Sequence, residues 1–222
     1  MAVYGIGDIH GCRATLDALL ARLAPTADDH LVFVGDYVDR GPDSYGVIER
    51  LIALQAEAES GAGPACTFLR GNHDQMLLDW ADGCPGSYDL WRANGGLATL
   101  TSYPDTRVPP EHFAFLRATE LAAVVDGVAF VHAGLDPSRP VAEQIEDPDP
   151  EVLLWTRAHL NADRSAWEMP VVCGHTPVAE PLDEDHLIAV DTGAVYHHRF
   201  ELGRLTAVKL PSREFIAVPY QR

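Results

Sequence analysis

The sequence predicts an α/β protein in which a parallel sheet covered by helices is followed by antiparallel strands. A β-prone segment followed by helical periodicity occurs three times within the first 82 residues, and the C-terminal third alternates apolar and polar residues with a period of two. No internal repeat or low-complexity linker divides the chain, and its 222 residues, 47% of them hydrophobic, suffice for one large core. We therefore expect a single domain over residues 1–222.

Each of the three N-terminal units consists of a strand, a polar turn and an amphipathic helix. In the first unit, apolar side chains recur at helical spacing in the order Leu16, Leu19, Leu20 and Leu23. Successive units of this kind place their strands parallel in one sheet. The strands are predicted at residues 2–6, 31–34 and 66–69, and the helices at residues 15–23, 44–54 and around Met76, Leu77 and Trp80.

The rest of the chain is predicted to be more varied. Residues 83–110 are rich in Gly, Pro, Ser and Asn and are expected to be irregular, with a helical piece around residues 90–100 and a helix at residues 111–117. The dipeptide Asp126-Gly127 indicates a hairpin between strands at residues 121–125 and 128–131. Four prolines between residues 136 and 150 predict a surface loop before a short helix that leads to Trp155. The last strands, at residues 170–173, 187–190, 205–210 and 215–218, are expected to form an antiparallel region.

Charge and cysteine content exclude several classes of function. The chain carries 16 Lys and Arg against 33 Asp and Glu, a formal charge of −17, which repels nucleic-acid backbones and anionic membranes. The four cysteines form no CxxC pair and match neither a zinc ribbon nor a disulfide framework, so we expect reduced thiols in a cytoplasmic protein. Because no basic and apolar leader and no apolar stretch of about 18 residues is present, we expect neither export nor membrane insertion.

Nearly every predicted strand is followed by a glycine-bracketed cluster of Asp, His or Asn. In α/β sheets, ligands collect beyond the carboxyl ends of the strands, so we expect these clusters to meet at one edge. The clusters are Gly7-Asp8-Ile9-His10-Gly11, Gly35-Asp36-Tyr37-Val38-Asp39-Arg40-Gly41, Gly71-Asn72-His73-Asp74, His132-Ala133-Gly134 and Gly174-His175-Thr176.

The clusters supply ligands for two divalent ions. Asp8 and His10, two apart on an extended backbone, would point to one side and join Asp36 in an O, N, O set. A second set of O, N, N donors comprises Asn72, His132 and His175. A carboxylate has two oxygens, so Asp36 is predicted to bridge the two ions. Imidazole and carboxylate without thiolate favour Mn, Fe or Zn, and two such ions roughly 3.5–4 Å apart catalyse phosphate ester hydrolysis.

The remaining polar residues of the clusters fit a phosphate substrate. Two divalent ions would make the local potential positive inside this acidic chain. The guanidinium groups of Arg40, Arg70 and Arg157 are predicted to bind the phosphoryl oxygens in bidentate geometry. His73 could protonate the leaving oxygen, and Asp39 could orient it.

The set GDIHG, GDYVDRG, RGNHD, HAG and GHT, in this order over residues 7–176, resembles the metallophosphoesterase superfamily, in particular its serine/threonine protein phosphatase branch. The segments RGNHDQM, LLWTR, GHTPV and VDTGAV are most similar to the compact phage and bacterial protein phosphatases of the lambda type. The resemblance implies a calcineurin-like β-sandwich of two mixed sheets flanked by helices. It also implies two ions, commonly manganese, with the same ligands, acid and arginines as named above.

Two residues of this sequence differ from the patterns of related enzymes and bear on the identity of the substrate. Position 74 is Asp where the protein phosphatases usually carry Glu, and the related dinucleoside tetraphosphate hydrolases often carry Asp. Those hydrolases tend to lack the acid at position 39, which this chain keeps and which bears on protonation of the leaving group. The expected reaction is therefore hydrolysis of phosphoserine and phosphothreonine by direct attack of a hydroxide shared by the two ions.

Two other functions are compatible with the same motifs. Dinucleoside tetraphosphate hydrolysis is the first alternative to protein dephosphorylation, and a non-catalytic metal-binding scaffold is the second. Expected partners are a phosphorylated protein or a small phosphoester, with no nucleic acid, membrane or regulatory subunit, and the chain is expected to be a monomer. The tryptophans are expected to pack in the core or under loops. Four histidines are expected to be exposed, namely His30, His112, His159 and His186.

Overall fold

The computed structural model describes all residues from Met1 to Arg222 and contains ten strands and eight α-helices. The strands are β1 Val3–Ile6, β2 His30–Phe33, β3 Ala65–Phe68, β4 Ala122–Val125, β5 Val128–Val131, β6 Val171–Cys173, β7 Leu182–Glu184, β8 Leu187–Ala189, β9 Arg204–Leu210 and β10 Glu214–Pro219. The helices are α1 Arg13–Leu23, α2 Ser44–Glu59, α3 Asn72–Ala81, α4 Ser87–Ala93, α5 Leu97–Ser102, α6 Pro110–Ala118, α7 Val141–Glu146 and α8 Pro150–Trp155.

The first sheet has five strands in the order β10-β9-β1-β2-β3. Its strands β1, β2 and β3 are parallel, with Val3 paired to His30 and His30 paired to Ala65, which confirms the three predicted strand and helix units. Strand β9 pairs antiparallel with β1, and β10 pairs antiparallel with β9. The C-terminal hairpin thus extends the N-terminal sheet.

The second sheet has the order β4-β5-β6-β8-β7 and corrects one prediction. Strands β5, β6 and β8 are parallel to one another, and only the edge strands β4 and β7 run antiparallel to their neighbours. The expectation of a purely antiparallel C-terminal region was therefore wrong for β6 and β8. Alternation with a period of two describes which face a side chain occupies and does not encode the direction of the partner strand.

The two sheets pack face to face, and helices cover the outer face of the first. Between the sheets lies a core that includes Val32 and Val208 of the first sheet and Phe130 and Val172 of the second. A Cβ at Gly5 would lie 3.0–3.2 Å from the latter three side chains, so glycine makes room for them on β1. The side chains before and after Gly5 point the other way, into the larger core that α1 and α2 cover. This arrangement confirms the predicted β-sandwich of two mixed sheets flanked by helices.

Between residues 83 and 150 the structure is more helical than the sequence indicates. The predicted helical piece is two short helices, α4 and α5, and α5 begins where Gly96 packs directly on Trp91. Helix α7 lies inside the predicted proline-rich loop, and the carboxylate of Glu168 accepts hydrogen bonds from the N–H groups of its first two residues at 2.8 and 2.7 Å. A partner distant in sequence thus starts this helix, which local composition cannot reveal.

Two of the four histidines expected to be exposed are fully buried. His112, on the buried face of α6, is hydrogen-bonded to Tyr103 and Glu49, and His159 packs against Trp167. The prediction for these two residues was wrong because each ring has a specific aromatic or polar partner that it meets only in the folded chain. The model contains no helix that is both long and apolar enough to span a membrane.

Candidate metal centre and active site

All six parallel strands of the two sheets end at one edge of the sandwich. The loops that follow β1, β2 and β3 bring Asp8, Asp36 and Asn72 to this edge, and those that follow β5 and β6 bring His132 and His175. The loops are tied together, since the N–H groups of residues 9 and 10 donate to the carbonyl of Asp36 at 3.1 and 2.8 Å. The predicted convergence of the polar clusters is what the structure shows.

Several site residues have left-handed backbone conformations, which side chains other than glycine seldom adopt. The φ angles are +46° at His10, +53° at Asp36, +72° at Asp39, +67° at Arg40 and +66° at His175. The backbone at His10 is therefore not extended, and the geometric argument that paired it with Asp8 was wrong. Asp8 instead accepts the backbone N–H of His175 at 3.1 Å from the other sheet.

Asp36 lies between two groups of potential metal ligands. Its Oδ2 atom is 3.4 Å from Nε2 of His10, and its Oδ1 atom is 3.5 Å from Nε2 of His132. One group of ligand atoms within 4.8 Å of one another comprises His10, Asp36 and His73, and the other comprises Asp36, His132 and His175. A carboxylate that belongs to both groups has the position required of a bridging ligand.

The amide of Asn72 completes the second group. Its Oδ1 atom lies 3.0 Å from Nε2 of His132 and 3.0 Å from Nδ1 of His175. One oxygen and two nitrogens thus converge on a common point beside Asp36, as the sequence predicts for an O, N, N set. All four residues are buried, so their positions are fixed by packing.

The histidines of the site are held in the form that binds a metal. The Nδ1 atoms of His10 and His132 each donate to a backbone carbonyl at 2.9 Å, and a carbonyl only accepts, so their lone pairs lie on Nε2, facing Asp36. Burial lowers the pKa of both rings and lowers that of His175 to about 3. Neutral imidazoles with oriented lone pairs are therefore available at neutral pH.

Three buried carboxylates crowd the same region. Burial and the neighbouring charges of Asp191 and Asp36 raise the pKa of Asp8, and burial raises the pKa of Asp191 to about 7. Divalent cations would relieve this repulsion, and the oxygen and imidazole donors suit them. The donor set therefore fits the divalent metals that the sequence predicts. Asp191, which follows β8, is a site residue that was not predicted from the sequence. Its segment VDTGAV was used only as evidence of the family resemblance.

His73 and Asp39 form a buried pair at the edge of the first group. Nδ1 of His73 is 2.7 Å from Oδ2 of Asp39. The carboxylate of Asp39 also accepts hydrogen bonds from Nε1 of Trp91 at 2.9 Å and from Oγ1 of Thr99 at 2.6 Å. Because Nδ1 is engaged, Nε2 of His73 is the nitrogen that remains for a substrate. Trp91 and Thr99 lie 52 and 60 residues from Asp39 and belong to no motif, so the sequence could not identify them as partners of Asp39.

Two of the three predicted phosphate-binding arginines face the site. Nη1 of Arg40 lies 2.5 Å from Nε2 of His10, beside the first ligand group. Arg157 is exposed, and its Nε donates to Oγ1 of Thr176 at 3.2 Å, next to His175. Both guanidinium groups therefore flank the metal ligands from different loops.

The position of Arg70 differs from the prediction that this residue binds the phosphoryl oxygens. Its Nη2 donates to backbone carbonyls at the C-terminal end of α6, including that of Arg117 at 2.8 Å, its Nε donates to Thr119, and its Nη1 donates to Gln75. With all three nitrogens bound to the protein, this guanidinium is not placed to bind a phosphoryl group. It caps a helix terminus, where orphan carbonyls and the helix dipole favour a cation.

Asp74 connects the loops that carry the metal ligands. Its carboxylate accepts three backbone N–H groups, those of Asp36, Tyr37 and Gly71, at 2.9–3.0 Å. It therefore holds the loop after β2 against the loop after β3. In the sequence this residue is only a family marker, and its structural role is not visible there.

We expect Asp74→Ala to destabilise the fold by about 3–5 kcal/mol, because three buried N–H groups lose their acceptor at once. Urea unfolding of the metal-free protein would measure this loss. Asp79→Ala on the same helix is the matched control, since Asp79 is half-buried and accepts only one side-chain hydrogen bond, from Gln75. Equal destabilisation of the two variants would contradict the role assigned to Asp74.

Comparison with known proteins agrees with this geometry. The model of the calcineurin-like phosphoesterase family matches residues 1–205. Serine/threonine-protein phosphatase 1 of Salmonella typhimurium is 32% identical over 221 residues, which cover 91% of this chain and 91% of the relative. Bis(5'-nucleosyl)-tetraphosphatase PrpE [asymmetrical] of Bacillus subtilis is 30% identical, with 99% of this chain and 95% of the relative covered. The solved "Crystal structure of a putative diadenosine tetraphosphatase" superposes with a TM-score of 0.70 at 27% identity, covering 100% of this chain and 94% of that one. The chain thus belongs to the calcineurin-like metallophosphoesterase family.

Proposed function

We propose that this metallophosphoesterase hydrolyses its substrate by direct attack of water on phosphorus at a site for two divalent ions, with no covalent phosphoenzyme. The observation that carries the proposal is the position of Asp36, shared by two ligand groups and adjacent to the His73–Asp39 pair. Two bound ions would supply positive charge for the phosphoryl oxygens and would lower the pKa of water. Manganese is the first expected metal, and iron and zinc are the alternatives.

Each side chain of the site has a distinct proposed role. Asp8, His10 and Asp36 would hold one ion, and Asn72, His132 and His175 together with Asp36 would hold the other. Arg40, which is half-buried, and Arg157, which is exposed, bind the phosphoryl oxygens. His73 donates a proton from Nε2 to the leaving oxygen, and Asp39 holds the ring in position through Nδ1.

We expect Arg40→Ala to keep both ions and to bind phosphate about 10- to 100-fold more weakly, because one charge-assisted contact is lost. The inhibition constant of inorganic phosphate and the metal content by elemental analysis would check the two parts separately. Arg92→Ala is the control, since Arg92 is exposed on α4 and pairs only loosely with Asp89. Loss of metal in Arg40→Ala would contradict the assignment of Arg40 to substrate.

Phosphoserine and phosphothreonine in proteins are our first candidate substrates. The leaving group of such an ester is a poorly stabilised alkoxide, which needs a proton, and the buried His73–Asp39 pair can deliver one. The similarity to the Salmonella serine/threonine-protein phosphatase over nearly the whole of both chains supports this choice.

A dinucleoside tetraphosphate is the second candidate, favoured by one specific observation. Relatives described as bis(5'-nucleosyl)-tetraphosphatases match almost all of this chain, and 26–30% of the aligned residues are identical. The values of kcat/KM on a phosphoserine peptide and on diadenosine tetraphosphate, with added Mn²⁺, would decide between the two. A many-fold preference for the dinucleotide would replace the first candidate by the second. The predicted monomer stays a prediction, which light scattering after size exclusion would test.

A further inference from the structure

His159 is a fully buried histidine that the proposed chemistry does not use. It lies in the short 3₁₀ helix Ala158–Asn161, two residues after Arg157. Its ring stacks on Trp167 with centroids 6.0 Å apart and planes inclined by 26°, and its Nδ1 atom has no hydrogen-bond partner. A buried imidazole that forms so few polar interactions is held mainly by van der Waals packing against its neighbours.

The ring of His159 contacts both loops that carry histidine ligands of the second group. A Cβ at Gly134 would lie only 2.2 Å from Cε1 of His159, so the ring rests directly on the backbone just after His132. Nε2 of His159 is 3.8 Å from Sγ of Cys173, which ends β6 two residues before His175. The ring thus lies against two segments that lead to the histidines of the second group.

The backbone of His159 also anchors the segment that carries Arg157. The backbone carbonyl of His159 accepts Nη1 of Arg164 at 2.6 Å, which secures the other side of the 3₁₀ helix. Arg157 itself is exposed and forms one side-chain hydrogen bond, to Thr176. A long arginine side chain loses considerable rotamer entropy when it is ordered. The ability of the Arg157 guanidinium to bind a phosphate therefore depends on how firmly the backbone of Arg157 is fixed.

We propose that His159 is a positioning residue, whose buried ring fixes the Arg157 segment against the two ligand loops so that the guanidinium is placed to bind phosphate. This inference rests on the proposed function. Burial lowers the pKa of His159 to about 4, so the ring is neutral at working pH and acts through packing alone. Its substitution should therefore affect phosphate binding through Arg157 and leave the metal ligands in place.

A double-mutant cycle between His159→Ala and Arg157→Ala tests the proposal. In Mn²⁺-loaded protein we would measure KM and kcat for p-nitrophenyl phosphate, the inhibition constant of inorganic phosphate, and the manganese content. His159→Ala alone is expected to weaken phosphate binding about tenfold, with kcat changing less than KM and with metal content unchanged. In the Arg157→Ala background the same substitution is expected to change phosphate binding less than about twofold.

The controls separate positioning from general destabilisation. His112→Ala removes an equally buried ring under α6 and should leave the phosphate inhibition constant within about twofold of the wild type. If His159→Ala does not fold, His159→Gln, which keeps a planar polar side chain, takes its place in the cycle. Equal weakening in both Arg157 backgrounds, loss of manganese, or a matching effect of His112→Ala would each overturn the role of His159.

Failure of the proposed function would look different from failure of this inference. A wild-type chain that hydrolyses no phosphate ester and binds no inorganic phosphate with Mn²⁺ would refute the function, and with it the role of His159. An active wild-type chain with an additive cycle would refute only the role of His159.

Discussion

Asp36→Asn is expected to abolish activity and to release metal together, with kcat/KM reduced by at least about 10³-fold. Asparagine keeps one oxygen for the N–H group of His73 and leaves the backbone carbonyl that ties residues 9 and 10 unchanged, so the loops should keep their shape. What is lost is the second anionic oxygen, Oδ2, which lies 3.4 Å from Nε2 of His10. Elemental analysis after gel filtration would measure the metal content, and p-nitrophenyl phosphate would report the rate.

The matched control is Asp28→Asn, which removes the same charge from an exposed position far from the ligands. It should retain both metal and rate within about twofold, because isolated surface charges contribute little. Full occupancy of both ions in Asp36→Asn would refute the assignment of Asp36 as the shared ligand. Activity lost with metal retained would assign the carboxylate a different role.

His73→Ala is expected to slow hydrolysis by about 10²–10⁴-fold for substrates whose leaving group is an alkoxide. The decrease should be much smaller for 2,4-dinitrophenyl phosphate, whose leaving group departs readily without a proton. The reason is that only Nε2 of His73 remains free to protonate the leaving oxygen once Nδ1 is bound to Asp39. A plot of rate against the pKa of the leaving group, for the wild type and the variant, would measure the difference in slope.

Asp39→Asn should change the slope of rate against leaving-group pKa in the same direction as His73→Ala, but by a smaller amount. The reason is that the His73 ring would lose its anionic partner but remain packed. Metal content should stay unchanged in both variants, because we assign both residues to the leaving group and not to the metal, although His73 lies within the first group of potential ligands. An equal decrease for every leaving group would contradict the role of His73 as an acid. Absence of any rate in the wild type above the His73→Ala level would favour the non-catalytic scaffold.

The arginines show how far a motif fixes the position of a side chain. Arg40 and Arg157 lie beside the two groups of potential ligands, whereas Arg70 follows the same kind of sequence signal and turns away to cap α6. Position in a motif restricts where a backbone passes. It does not determine which way a long side chain points when a helix terminus offers several acceptors.

The residues that hold the His73–Asp39 pair in place show a second limit of prediction from sequence. Asp39 and His73 belong to recognisable clusters, but Trp91 and Thr99, which donate to Asp39, belong to no motif and lie in the helical piece predicted around residues 90–100. Their roles arise because α4 and α5 fold over the loop after β2. Such contacts depend on the packing of two short helices, which local propensity specifies weakly.

The sequence by itself determined the parallel strands of the first sheet, the clusters at their ends and the ligand types that these clusters contain. It could do so because strand, turn and helix patterns are local, and because the rule that parallel strands deliver their loops to one edge is general. Only the tertiary structure decided the direction of β6, the burial of His112 and His159, the turning of Arg70 and the left-handed backbone at His10. Each of these depends on contacts that form only in the folded chain, and such contacts can override the local preferences that a sequence pattern expresses.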